Sequence, residues 1–137
     1  MSRTGTPLNV LLVEDLEDDR FFFQHAFERA GVNARLFIAK DGVEALDYLQ
    51  NKDHFADAHQ FPRPDIIFLD LKMPRRNGFE VLQWMQERSL LAAIKVIILS
   101  GSDEPTDMEL CRKLGAADYI IKPIDTKRIE QLLKTDP

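Results

Sequence analysis

The sequence predicts an α/β protein built on a parallel sheet of five strands and five helices. Five short apolar runs alternate with helical patterns along the chain, as expected when each strand is followed by a crossover helix. The central run, Ile66 to Leu69, is apolar at four consecutive positions, which is typical of a parallel strand buried on both faces. A length of 137 residues suits a single domain with a sizeable core.

The first half of the chain begins with residues 1–8, which we interpret as a loose lead-in to a domain over 9–134. Val10 to Val13 form the first predicted strand, and Leu36 to Ala39 form the second, whose polar flanks indicate a sheet edge. Between them, apolar residues at helical spacing predict the first helix and its inner face, with Gly31 as C-cap. These residues are Phe22, Phe23, Ala26, Phe27 and Ala30.

The second helix is predicted to start at Asp41, because Asp41 to Glu44 has the spacing of a capping box. Its apolar residues are Val43, Leu46, Tyr48 and Leu49. Residues 51–64 form a connection long enough to suggest extra helical structure or a functional loop. Its histidines, His54 and His59, are either metal ligands or solvated loop residues, and the lack of a second ligand cluster favours the solvated interpretation.

The second half of the chain repeats the alternation. The third helix ends near Ser89, and Val96 to Leu99 form the fourth strand. Pro105 suits the first turn of the fourth helix, and Tyr119 to Ile121 form the fifth strand. Helical spacing predicts the inner faces of the third, fourth and fifth helices as Phe79, Leu82 and Met85; Leu110, Cys111 and Leu114; and Ile129, Leu132 and Leu133.

The composition excludes several classes of protein. With 45% hydrophobic and 30% charged residues, the chain is typical of a soluble globular protein. The net charge of −5 and the lack of a basic block argue against nucleic-acid binding. No apolar run approaches the roughly 20 residues of a membrane span, and the N-terminus lacks a signal-peptide core, so we expect no membrane insertion. The single cysteine, Cys111, cannot form an internal disulfide, and we expect a cytoplasmic location.

Polar side chains follow four of the five strands, and parallel topology brings them to one edge of the sheet. Taken alone, Asp70 could simply end a strand or cap a loop. Its predicted neighbours favour a functional site, because close carboxylates repel unless a hard cation such as Mg²⁺ neutralises them. Asp70 would then be a nucleophile that forms an aspartyl phosphate, stabilised by the metal, a lysine and a hydroxyl group. The strand-end residues are Glu14, Asp15, Asp70, Ser100, Lys122 and Pro123.

Four motifs, in order and at suitable intervals, make the chain resemble the receiver domains of two-component response regulators. They are Leu-Leu-Val-Glu-Asp, Phe-Leu-Asp-Leu-Lys-Met-Pro, Leu-Ser-Gly-Ser and Tyr-Ile-Ile-Lys-Pro, and the resemblance covers residues 8–134. It implies a flavodoxin-like, doubly wound sheet in the order 2-1-3-4-5. The 51–64 connection is similar to that of single-domain regulators paired with bacterial phytochromes.

The resemblance also implies roles for individual residues. Asp70 would be the phosphoacceptor, and Mg²⁺ would bind Asp70, Asp15, the backbone carbonyl of Lys72 and, through water, Glu14. Ser100 and Lys122 would contact the phosphoryl group, and a cis peptide bond would join Lys122 to Pro123.

The implied function is that of a signalling switch rather than an enzyme, limited to its own phosphorylation and slow dephosphorylation. The phosphoryl donor would be a sensor histidine kinase or a histidine phosphotransfer protein. Because the sequence stops at Pro137, we expect no separate output domain and a downstream protein partner instead. Ser100 and Tyr119 would switch a surface formed by the fourth helix, the fifth strand and the fifth helix, which we also expect to form a homodimer. The simpler interpretation of Tyr119 is a half-buried strand aromatic.

Phe21 projects away from the predicted inner face of the first helix, close to the strand-end site. The first helix of receivers docks against the kinase, so we interpret Phe21 as a candidate docking residue. The alternative is a single exposed apolar residue of no further significance.

Three other functions fit the sequence less well. A haloacid-dehalogenase-like phosphatase needs a second aspartate two residues after the nucleophile, where this chain has Lys72. A flavodoxin-like cofactor-binding protein needs a phosphate-cradling loop after the first strand, but residues 14–19 are acidic and lack glycine. A receiver that no longer accepts phosphate is disfavoured because all five site residues are present.

Overall fold

The structure is a computed structural model that describes residues 5–134, so part of the expected lead-in lies outside the described residues. Five strands alternate with five α-helices, and short 3-10 helices cover 53–55 and 90–92. No helix in this part of the chain is long and apolar enough to cross a membrane. The elements are β1 Leu8–Val13, α1 Glu17–Ala30, β2 Ala34–Ala39, α2 Gly42–Gln50, β3 Ile66–Leu69, α3 Gly78–Glu87, β4 Lys95–Ser100, α4 Pro105–Lys113, β5 Asp118–Ile121 and α5 Thr126–Leu133.

The five strands form one parallel sheet in the order β2-β1-β3-β4-β5, which confirms the expected topology and the edge position of β2. The shortest central strand sets the register, since Leu69 of β3 lies opposite Val13 of β1 and Ile98 of β4. The residues after these strands therefore start from the same edge of the sheet.

Both faces of the sheet are covered, as a doubly wound fold requires. Ile66 and Phe68 of β3 pack with residues of α1 and α5 on one face, including Phe23 and Ile129. Residues of β3 with the opposite orientation pack against α2, α3 and α4 on the other face. This second core includes Ile67, Leu69, Leu46, Leu82 and Cys111.

The 51–64 connection contains a 3-10 turn over Asp53–Phe55, and its aromatic residues pack against the protein. Phe55 is buried, and its ring centroid lies 5.1 Å from those of both Tyr48 and Phe61. His54 packs edge-on against Phe55, and among the described residues neither His54 nor His59 belongs to a cluster of potential metal ligands. The 3-10 turn agrees with the prediction of extra helical structure in this connection.

Two helix faces differ from the prediction. The sequence pattern predicts Phe22 on the inner face of α1, but 62% of it is exposed. Phe23 and Ala26 make the buried contact, and Phe22 lies about 100° from Phe23 around the helix. The pattern also predicts Leu110 on the inner face of α4, but it is 44% exposed, because Cys111 is the residue of this helix that is buried in the core.

The predicted capping box at α2 is half formed. The Asp41 side chain accepts a hydrogen bond from the Glu44 N–H at 2.8 Å, as expected of an N-cap. The Glu44 carboxylate accepts from the N–H of Lys40 rather than from that of Asp41, at 2.9 Å. The second carboxylate oxygen of Asp41 pairs with Arg75 at 2.7 Å, which ties the start of α2 to the loop after β3.

Candidate functional site

Backbone pairing continues beyond the strands and brings the strand-end residues together. The N–H of Asp70 donates to the carbonyl of Val13 at 3.1 Å, and the N–H of Lys122 donates to the carbonyl of Ser100 at 2.8 Å. Glu14, Asp70 and Ser100 are buried, although each carries a polar side chain. Most buried polar groups in proteins are hydrogen-bonded, so these side chains need partners.

Glu14, Asp15 and Asp70 form an acidic group in which one oxygen from each residue lies within 4.8 Å of the other two. Oδ1 of Asp15 is buried and has no hydrogen-bond partner among the described residues. A buried carboxylate oxygen without a partner destabilises the folded protein. Such oxygens are good ligands for a hard divalent cation. The donor set and the unpartnered oxygen therefore fit a metal ion.

The ammonium group of Lys122 compensates part of this negative charge. Its Nζ lies 2.6 Å from Oε1 of Glu14, 2.7 Å from Oδ2 of Asp19 and 3.3 Å from Oδ2 of Asp70. Burial by itself lowers the pKa of Lys122, but the hydrogen bonds to Asp19 and Glu14 and the charge of Asp70 raise it above its usual value. Lys122 therefore stays protonated, with its Nζ atom within 3.3 Å of an oxygen of each of three carboxylates.

Glu14 has the most strongly perturbed carboxyl group of the site. Burial raises the pKa of Glu14 to about 7, and the charge of Asp70 acts in the same direction, although the hydrogen bond from Lys122 opposes both. The single positive charge of Lys122, which is shared among three carboxylates, is thus insufficient to keep Glu14 fully ionised at neutral pH. Additional positive charge at this position would favour its ionised form.

Asp70 is held from its backbone and from its side chain. Its Oδ1 accepts a hydrogen bond from the N–H of Leu71 at 2.8 Å. Gly78, the first residue of α3, approaches so closely that a Cβ atom there would lie 2.2 Å from the carbonyl oxygen of Asp70. A glycine at this position is therefore required for the strand end and the helix start to meet.

Ser100 and Tyr119 are linked through the loop after β4. Oγ of Ser100 accepts from the N–H of Ser102 at 3.2 Å, and the hydroxyl of Tyr119 donates to the carbonyl of Ser102 at 2.8 Å. Asp70, Lys72, Ser100 and Lys122 line one open cleft. The peptide bond between Lys122 and Pro123 is cis.

On α1, Phe21 lies as the sequence indicated, whereas Asp19 is a site residue that the sequence did not identify. Phe21 is 63% exposed on α1, as expected, and it is not part of the cleft that contains Asp70. Asp19 was not singled out as a site residue, yet it makes a closer contact with Lys122 than Asp70 does. Its only sequence signal was its place in the acidic run over 14–19, which does not distinguish it from its neighbours.

Comparisons with known proteins point to one family. The family model described as the response regulator receiver domain matches residues 10–134. The probable methanogenesis regulatory protein FilR2 of Methanothrix harundinacea is 34% identical over 131 residues, which cover 93% of this chain and 82% of that protein.

Solved structures agree with this result. The phosphorylated cyanobacterial phytochrome response regulator RcpA has a TM-score of 0.79 at 32% identity and is matched over 94% of this chain and 90% of its own. The Mn²⁺-bound form of the response regulator Rcp1, a protein of Synechocystis, has a TM-score of 0.77 at 29% identity, with 93% and 90% of the two chains covered.

Proposed function

The chain belongs to the response regulator receiver domain family, and on that premise we propose that Asp70 accepts a phosphoryl group in a two-component phosphorelay. We further propose that the chain acts as a single-domain regulator over residues 9–134, and that a histidine kinase or a histidine phosphotransfer protein donates the phosphoryl group. The observation that carries this proposal is the convergence of the acidic group with Lys122 and Ser100 around Asp70.

Mg²⁺ is the proposed cofactor. Glu14, Asp15 and Asp70 would hold the ion together with the backbone carbonyl of Lys72, and the unpartnered Oδ1 of Asp15 supports this assignment. When bound, the cation supplies positive charge that offsets the carboxylates and the incoming phosphoryl oxygens. The Mn²⁺-bound state belongs to Rcp1, and it supports divalent-cation binding here by relationship.

The proposed reaction is a transfer between two nucleophiles. A carboxylate oxygen of Asp70 attacks phosphorus, the O–P bond forms, and the P–N bond to the donor imidazole breaks so that the electron pair returns to nitrogen. Lys122 donates N–H groups and Ser100 donates its hydroxyl to the phosphoryl oxygens, stabilising the charge that they carry. The protein catalyses only its own phosphorylation and slow dephosphorylation, and in this sense it is a switch rather than an enzyme.

Output is proposed to start at Ser100. If its hydroxyl turns toward the phosphoryl group, the hydrogen bond between Ser100 and the N–H of Ser102 is altered, and Tyr119 is bonded to the carbonyl of that same residue. A shift at Ser100 therefore has a direct route to β5. The surface of α4, β5 and α5 would then bind a downstream partner or a second copy of the chain.

Phe21 is the proposed kinase-docking residue. Its ring is 63% exposed and lies beside His25, with ring centroids 6.4 Å apart. The exposed ring of Phe22 also lies beside it, with ring centroids 5.9 Å apart, and an exposed aromatic pair of this kind suits a transient contact with a partner helix.

The test of the central proposal is labelling by acetyl phosphate in the presence of Mg²⁺. Intact-mass measurement should show one acid-labile phosphoryl group on the parent and none on Asp70→Asn. Omitting Mg²⁺ should prevent labelling, because the acidic group then repels the incoming phosphate. Equal labelling of parent and variant would falsify the assignment of Asp70.

A further inference from the structure

We propose that Asp19 is a positioning residue for Lys122. By pairing with the Lys122 ammonium group, Asp19 holds that group beside Asp70 and leaves the Glu14 carboxylate free to bind a metal ion. This inference rests on the proposed function of the Asp70 site, and it assigns a role to a carboxylate outside the metal-binding group. Asp19 forms an ion pair with Lys122 and is therefore expected to act through the lysine.

The geometry gives Asp19 a separate place in the site. It lies in the first turn of α1, 103 residues from Lys122, and its Oδ2 is 2.7 Å from the Nζ atom. The other two carboxylates in contact with this ammonium group, Glu14 and Asp70, are also members of the acidic group suited to a metal ion. Among the described residues, Asp19 is the one carboxylate paired with Lys122 that a cation bound to the acidic group would leave available.

Competition between like charges makes this contact useful. A divalent cation and the Lys122 ammonium are both attracted to Glu14 and Asp70, and each weakens the other's interaction with them. Asp19 gives the ammonium an alternative partner that keeps it in the cleft. Without Asp19, Lys122 would remain on Glu14, where it opposes metal binding, and its position beside Asp70 would be less restricted.

The alternative explanation is an ordinary ion pair at the protein surface, which contributes little. Against this, the side chains of Lys122 and Asp19 are only 18% and 32% exposed, so their attraction is screened less than that of a fully exposed pair. Asp18 provides a matched control. It precedes Asp19 in the same helical turn, carries the same charge and is exposed, and within residues 5–134 its side chain makes no hydrogen bond or ion pair.

The first experiment compares Asp19→Asn with Asp18→Asn in acetyl phosphate labelling at saturating Mg²⁺. We expect Asp19→Asn to slow labelling about tenfold, the usual scale for loss of a group that orients a site residue. Asp18→Asn should leave the rate near that of the parent. Melting temperatures of all three proteins separate this effect from unfolding.

The second experiment measures Mg²⁺ affinity by calorimetry without any phosphoryl donor. Asp19→Asn should weaken binding about tenfold, and Asp18→Asn much less, because an exposed charge is screened by salt. The same pair of substitutions is then made in a Lys122→Met background. There, Asp19→Asn should have no larger effect than Asp18→Asn, since the lysine through which Asp19 acts is gone.

The outcomes separate this inference from the proposed function. Equal affinities for Asp19→Asn and Asp18→Asn would overturn the role of Asp19, as would a full Asp19 effect that persists without Lys122. A parent that binds no Mg²⁺ would overturn it as well. A parent that binds Mg²⁺ but is never labelled would refute phosphorylation of Asp70, and the calorimetric cycle would still decide whether Asp19 positions Lys122.

Discussion

The Nζ atom of Lys122 lies 2.6 Å from Oε1 of Glu14, so a buried carboxylate from the end of β1 is paired with a lysine that follows β5. Because β1 and β5 are separated by β3 and β4, this contact spans the site across the sheet. Removing one partner of a buried pair leaves the charge of the other uncompensated, which destabilises the protein. Because Glu14 also belongs to the acidic group suited to a metal ion, changes in stability and in metal binding at this site are linked.

We expect the ionisation of Glu14 to destabilise the protein in Mg²⁺-free buffer. The folded-state pKa of about 7 exceeds the ordinary value of 4.5, so the folded state holds this proton more tightly, and stability falls as pH rises from 4.5 to 7. One pKa unit corresponds to about 1.4 kcal/mol, and screening by solvent reduces the effect. The free energy of unfolding should therefore fall by about 1 to 3 kcal/mol over this pH range. Urea unfolding in EDTA from pH 5 to pH 8 measures it.

Glu14→Gln should flatten this pH dependence, whereas Asp18→Asn, with the same change of charge at an exposed position, should keep it. Adding excess Mg²⁺ at pH 8 should raise the free energy of unfolding of the parent protein again, because a ligand that binds only the folded state stabilises that state. An identical slope for Glu14→Gln and the parent would show that another group titrates.

The link from Ser100 to Tyr119 predicts a phosphorylation-dependent surface. Beryllium fluoride, a phosphoryl mimic, should change amide hydrogen exchange in 105–114, 119–121 and 126–134 of the parent. Ser100→Ala should suppress this change because it removes the hydroxyl that would move, while Ser100→Thr should retain it. Exchange maps that are the same with and without the mimic would sink the proposed output surface.

Phe21→Ala tests kinase docking. Transfer from the cognate kinase should slow roughly tenfold, the effect of losing an interface anchor worth about 1 to 2 kcal/mol. Labelling by acetyl phosphate should not change, and stability should stay within about 0.5 kcal/mol because the side chain is exposed.

Leu110→Ala is the control for this prediction, since it removes an exposed apolar side chain from α4. It should leave transfer from the kinase unaffected. Unchanged transfer in Phe21→Ala would place the docking surface elsewhere, and a large loss of stability would mean that Phe21 packs in the core.

Gly78→Ala should destabilise the protein because its new methyl group would meet the backbone at Asp70. The added Cβ would lie 2.2 Å from the Asp70 carbonyl oxygen and 2.9 Å from Cα of Leu71, and neither backbone atom can rotate away. We expect a loss of about 2 kcal/mol or more in thermal or urea unfolding. Gly101→Ala, whose Cβ would have open space, should change stability by less than about 0.5 kcal/mol. Equal effects at both positions would contradict the close approach.

Most strand positions follow from the sequence, because four-residue apolar runs such as Ile66 to Leu69 have few alternatives in a chain of this length. The strand edges were harder to predict. β1 starts at Leu8, within the expected lead-in, because its N–H pairs with the carbonyl of Asn33 and no local pattern marks that bond. The sheet order came from resemblance to a family, since alternation of strands and helices alone allows several orders.

The sequence by itself determined which side chains lie at the strand ends. A polar residue directly after a buried parallel strand lies at the carboxyl edge of the sheet, however the helices pack against that sheet. Only the tertiary structure decided the pairing of Asp19 with Lys122 and the exposure of Phe22. Both depend on how far α1 is rotated about its axis where it packs on the sheet. That rotation results from contacts with distant residues, such as that between Phe23 and Phe68, whose ring centroids lie 4.9 Å apart, and helical periodicity cannot specify it.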